Sequence, residues 1–195
     1  MALYAFDGTG NEDKPGEDKD SNVLRFFRAC EKLDETIDPA KDDWSHTLPR
    51  SRYLVGIGKA AHTLVGDKVA EAFGIGGHDR IDKALDRMDA NIKAGDPIVD
   101  VIGFSRGAAL AVAFANKVAE KRPTVRIRFL GIWDIVAEFG APGKAVNLGY
   151  DLKMPPNVDH CYHAMALDET RVAFQLTRLR GKHDADSPRL VEVWF

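Results

Sequence analysis

The stretch VDVIGFSRGAALAVAF, residues 99–114, decides the fold. An apolar run leads into Gly103-Phe104-Ser105-Arg106-Gly107, and a run apolar nearly all round follows. A G-x-S-x-G pattern alone arises often by chance. Between a buried strand and a buried helix it is the signature of a nucleophile elbow, a strained turn that lifts a serine above the end of a sheet. Glycines two positions either side remove the Cβ atoms that would clash where strand and helix close together. The helix N-terminus then offers the Arg106 N–H to a developing oxyanion at Ser105.

Working outward, strand-like runs alternate with helical patterns. Residues 3–6 form a short apolar run, and residues 21–33 (SNVLRFFRACEKL) start on a Ser/Asn signal with Val23, Leu24, Phe27 and Leu33 at helical spacing. Residues 34–52 are polar with two prolines and read as loop, and SRYLVGIGK is a short apolar run broken by glycines. A glycine-punctuated stretch (66–77) precedes a helix over 78–95, with Ile81, Leu85, Met88 and Ile92 on one face. Gly95 ends it, and Pro97 prevents its resumption. After the elbow, residues 125–134 predict a strand, 157–174 a short strand turning into a helix, and 190–195 a last strand. This alternation predicts one α/β domain over residues 1–195, a three-layer α/β-hydrolase-like fold with a mainly parallel central sheet.

Composition excludes several classes. The chain has 195 residues, 45% apolar and 29% charged, with a net charge of −3, which gives no basic face for nucleic acid. Cys30 and Cys161 lie far apart without paired spacing, so neither a disulfide framework nor a zinc site is indicated. No run approaches the ~20 apolar residues of a membrane span. The first residues carry no signal-peptide pattern, so the expectation is a cytoplasmic chain. No cofactor and no metal are implied, and the oligomeric state is not legible.

An elbow serine needs a base and an acid, which in this fold follow it in the order Ser, Asp, His at strand ends. The strand RIRFLGIWD ends on Asp134, the candidate acid. Of six histidines, His46 and His62 precede the elbow, and His78 opens an amphipathic helix as a surface residue. His163 closes VDHCYH and is the candidate base, on the expectation that it shares a rim with Ser105 and Asp134. A structural histidine closing the strand is the competing reading. By alternation His160 is expected to be packed, and His183 falls in a charged loop.

The opening LYAFDGTGN poses a separate question. Aspartyl phosphatases read D-x-D-G-T, but Ala5 stands where their nucleophile belongs. An EF-hand loop from Asp7 would need a ligand at Thr9 and a glycine at Glu12. Both fail. An oxyanion role fits best, with the Gly8 or Thr9 N–H as the second donor and Asp7 pinning the turn through its side chain; an ordinary Asx-turn ending an edge strand is the competing reading.

Four motifs together, FDGTGN (6–11), GFSRGAA (103–109), FLGIWDIV (129–136) and YHAMALDETRVAF (162–174), resemble the α/β-hydrolase domain family of unknown function that includes the type VI secretion phospholipase effectors. The resemblance implies a Ser-Asp-His hydrolase of esters, phospholipids among them, and supports Ser105 and Asp134 as nucleophile and acid. It implies a lipid or small-molecule ester as partner, transient membrane contact, and a non-classical export route if the protein is effector-like. One departure stands out: family members continue past a strand like VEVWF into a Pro-Gly-x-His-x-Asp loop, and this chain ends at Phe195. Either the base is His163 and the triad is complete, or it belongs to that later loop. In the second case the domain is truncated at its C-terminus and is a catalytically silent binding or assembly module. Its sign would be an exposed apolar edge around LVEVWF.

Overall fold

The computed structural model describes residues 1–11, 20–31, 45–47, 50–57, 67–137, 149–168, 176–179 and 189–195. Seven strands form one sheet in the order β2-β3-β1-β4-β5-β6-β7. They are β1 (Ala2–Phe6), β2 (Ser45–Thr47), β3 (Arg52–Leu54), β4 (Val99–Phe104), β5 (Ile127–Trp133), β6 (Val158–Met165) and β7 (Leu190–Trp194). Six run parallel, and β2 pairs antiparallel with β3. The described helices are α1 (Asn22–Glu31), α2 (Asp67–Lys93) and α3 (Arg106–Lys121).

The three layers follow from burial on both faces of the central strands. β1 is buried at all five positions, and Val101, Ile102 and Leu130 are equally enclosed. That is why these strands read as continuous apolar runs rather than alternating ones. One core lies between the sheet and α2 and α3, where the Phe114 ring packs 5.4 Å from Tyr4 and 5.5 Å from Phe6, centroid to centroid. The other lies under α1, which sets Val23, Leu24 and Phe27 against Leu3, Ala5 and Tyr53. A forked pair from Arg122 to Asp89 ties the end of α3 to α2.

Three expectations change. The polar stretch 34–52 contains β2, whose pairing comes from β3 rather than from its own apolar content. Helix α2 starts at Asp67, eleven residues before the expected start at His78, and runs through the glycine-punctuated stretch. Gly77 sits inside that helix because a Cβ there would stand 2.1 Å from the Tyr150 hydroxyl. And β6 continues past His163 to Met165, so the expected helix does not open at Ala164; the rest of its range, 169–174, falls outside the described residues. Gly95 does end α2, at φ +83°, with its N–H donating to Ile92 O. Among the described residues β7 forms the far edge of the sheet, and Val193, Trp194 and Phe195 are exposed there.

Two glycines separate space from conformation. A Cβ on Gly56 would stand 1.7 Å from Gly8 O, whereas Gly95 has open space but a left-handed backbone. Urea denaturation should therefore show Gly56→Ala losing about 3 kcal/mol or more and Gly95→Ala only about 1–2 kcal/mol. Equal losses would show that the turn around Gly8 relaxes freely.

Candidate active site

At the C-terminal ends of the parallel strands, Ser105 sits at φ +56° and ψ −126°, between the end of β4 and the first residue of α3. A non-glycine residue in that region is strained. The strain is held by close approach on both sides. A Cβ on Gly103 would stand 2.7 Å from Gly107 O, and one on Gly107 would stand 2.3 Å from Asp7 O and 2.4 Å from Phe6 O. Backbone bonds fix the turn: the Ser105 N–H donates to Trp133 O at 2.9 Å, and Ser105 O accepts from Val136 N–H at 3.3 Å. The Ser105 hydroxyl does not cap α3, so the helix makes no claim on it.

Asp134, directly after β5, takes a second strained conformation, φ +45°. Its N–H donates to Ala164 O at 3.0 Å, and its Oδ1 accepts from the Ala166 N–H at 2.7 Å. A small cleft of about 160 Å³ is lined by Asp134 with Asn11, Ser21, Phe104, Trp133 and Phe195. Ser105 and Asp134 thus come to one rim, laced together by the exit of β5.

The opening turn reaches the same rim. Asp7 is 2% exposed, and both of its oxygens are engaged by neighbouring donors, which leaves no role for it as a nucleophile. The Gly8 N–H donates to Asp7 Oδ1 at 2.6 Å, while the Thr9 N–H has no acceptor among the described residues. Arg106 Nη1 donates to Thr9 Oγ1 at 2.9 Å, tying the elbow to the turn. Phe104 lies so close over Gly8 that a Cβ there would stand 2.5 Å from its ring.

His163 occupies a different position from the rim the sequence led one to expect. It pairs in register with Ile132, which pairs with Gly103, so it stands two strands away and two residues below Ser105. At about 4.8 Å between strands and about 3.3 Å per residue, the two backbones lie roughly 12 Å apart. The ring is 0% exposed, with Nδ1 at 3.5 Å from Glu192 Oε1 on β7, an ion-pair distance at which neither ring nitrogen makes a hydrogen bond. Glu192 in turn takes a charged bond from Arg178. Burial holds the His163 pKa below its ordinary value, although Glu192 and Asp134 pull it upward. His160, expected to be packed, is exposed instead, because the interior parity of β6 belongs to Cys161, His163 and Met165. His78 is exposed as expected and stacks on Tyr150, while His62 and His183 lie outside the described residues.

Sequence reasoning missed four residues here: Ser21 and Tyr53, which hold Asp7, Trp133, which walls the cleft, and Glu192, which faces His163. Only Ser21 carries a local signal, as a helix N-cap. Among the described residues, no helix is long and apolar enough to cross a membrane.

The catalytic domain of the type VI secretion Tle1-like phospholipase effectors matches residues 3–121 and 113–195. No curated protein matches the chain. Among solved structures, an uncharacterized protein from Pseudomonas aeruginosa is 17% identical with a TM-score of 0.57, over 100% of this chain and 40% of that one. This chain therefore spans less than half the length of that protein, and the likeness is one of fold. With a family match running from β1 to β7, the chain belongs to the Tle1-like catalytic domain family of type VI secretion phospholipase effectors.

Proposed function

We propose that this domain is a serine hydrolase of carboxylic esters, with lipid esters as the substrate class. The observation that carries the reading is Ser105 held at φ +56° between strand and helix, with its hydroxyl left out of the helix cap. Ser105 Oγ attacks the ester carbonyl and loses its proton to an imidazole. The tetrahedral oxyanion is met by the Arg106 and Thr9 N–H groups. Collapse expels the alcohol, which takes the proton back, and water then hydrolyses the acyl-serine by the same route. Asp134 holds the imidazole through the oxygen that Ala166 does not occupy. The cleft walled by Phe104 and Trp133 suits an apolar group beside the carbonyl. Family membership supports phospholipids as substrates, and with them transient contact with a membrane and an effector's route out of the cell.

His163 is the proposed base that the geometry supports least. To reach Ser105, its ring would have to leave Glu192 and cross β5. A second reading follows from that observation: a catalytically silent domain that binds or assembles, in which the imidazole near Ser105 is absent.

A fluorophosphonate probe separates the two readings. Wild type should label, and Ser105→Ala should abolish both labelling and turnover of short acyl esters, a loss of at least about 10³-fold. No Ser105-dependent labelling would leave the silent module. His163→Gln then assigns the base. A kcat loss of about 10²–10⁴-fold makes His163 the base, and kcat within a few-fold of wild type places the base elsewhere.

The burial of His163 also has a pH consequence. Its folded pKa lies below the 6.5 of an exposed imidazole. Below that pH the unfolded chain takes up a proton that the folded chain refuses, so stability falls on acidification. Urea midpoints measured downward from pH 7.5 should fall, starting near pH 6.5, and should fall less in His163→Gln. An unchanged slope would contradict the buried, neutral imidazole.

A further inference from the structure

Asp7 is a buried carboxylate gripped by four donors from separate parts of the fold. Oδ1 accepts from the Gly8 N–H at 2.6 Å and from Asn11 Nδ2 at 3.1 Å. Oδ2 accepts from the Tyr53 hydroxyl of β3 at 2.6 Å and from the Ser21 hydroxyl. The direction of the last bond is set by the helix. Ser21 Oγ already accepts the Leu24 N–H at 3.1 Å as the cap of α1, so its proton points to Asp7. Four donors thus converge on the two oxygens of one carboxylate, two on each oxygen.

The other side of the turn is held by backbone. Gly56 N–H donates to Asn11 O at 2.8 Å, and Gly10 N–H donates to Ile57 O at 3.2 Å. Arg80, from α2, stiffens that support by donating to Val55 O at 2.7 Å and to Gly56 O at 3.3 Å. Between the two supports stands Thr9, with its hydroxyl bonded to Arg106 and its N–H without an acceptor among the described residues. A single amide left over, in a turn clamped on both sides, is what oxyanion stabilisation requires: a donor that need not reorganise during the reaction.

We propose that Asp7, Ser21 and Tyr53 form a positioning relay, in which the Asp7 carboxylate locks the opening turn so that the Thr9 amide is set as the second oxyanion donor. The relay makes the start of α1 and the middle of β3 part of the reaction machinery, although none of the three side chains touches the reacting atoms. It rests on the reading of Ser105 as nucleophile. Removing one oxyanion donor outright costs about 10²–10³-fold in kcat; loosening one should cost less.

The test uses the full chain and compares wild type with Asp7→Asn, Tyr53→Phe and Ser21→Ala. Asparagine keeps the shape of Asp7 but presents an NH₂ group to two of the four donors. On a short acyl ester, Asp7→Asn should lower kcat by about 10- to 100-fold with KM within about threefold, and Tyr53→Phe should lower it less. Inhibition by a trifluoromethyl ketone, which builds a tetrahedral oxyanion on the serine, should weaken in proportion to kcat. Amide hydrogen exchange of the 8–11 segment should speed up by at least about tenfold in Asp7→Asn. The relay is overturned if kcat in Asp7→Asn and Tyr53→Phe stays within twofold, if the loss falls on KM alone, or if exchange in that segment is unchanged. Should Asp7→Asn not fold, Tyr53→Phe combined with Ser21→Ala carries the same comparison. A wild type whose turnover survives Ser105→Ala would sink the hydrolase reading instead, and the exchange measurement would still decide whether Asp7 locks the turn.

Discussion

The rim depends on how closely the first turn of α3 approaches the exits of β1 and β4. Gly107 brings the helix so near β1 that any Cβ would stand 2.3 Å from Asp7 O, and Gly103 does the same within the elbow itself. Such contacts leave little room to relax, so the strained Ser105 backbone is held by the packing of three elements together with its backbone bonds to β5 and its exit. The same approach sets the Asp7 carbonyl against Gly107 and brings Arg106 to the Thr9 hydroxyl. Strain at Ser105 and placement of the opening turn are thus one geometric fact.

The elbow was legible because everything that specifies it is local: an apolar strand, a glycine on either side of the serine, and an apolar helix. The layered α/β class was legible for the same reason, from runs of alternating length and period. Strand order was not, since pairing such as Tyr4 with Val101 joins residues nearly a hundred positions apart. β2 escaped because a short edge strand borrows its order from its neighbour. The extent of α2 escaped because Gly77, a residue type that normally breaks a helix, serves here as clearance for Tyr150.

Site residues divide along the same line. Ser105 and Asp134 could be placed from the ends of their own strands. His163 could not, because its position turned on whether β6 stops at the histidine or runs two residues further. In a strand, that choice decides the level of a side chain, while the parity of the pleat decides its face. Helix propensity after the strand suggested the earlier stop; the parallel ladder with β5 and β7 carried the strand on to Met165. The partners of Asp7 were hidden differently, since Tyr53 lies 46 residues away and nothing in RYL marks its hydroxyl as a donor to the opening turn.

The ring of Phe104 touches two things at once: it walls the cleft beside Asp134, and it lies against the backbone of Gly8. A change in the size of that side chain would therefore alter the wall of the cleft and press on the opening turn together.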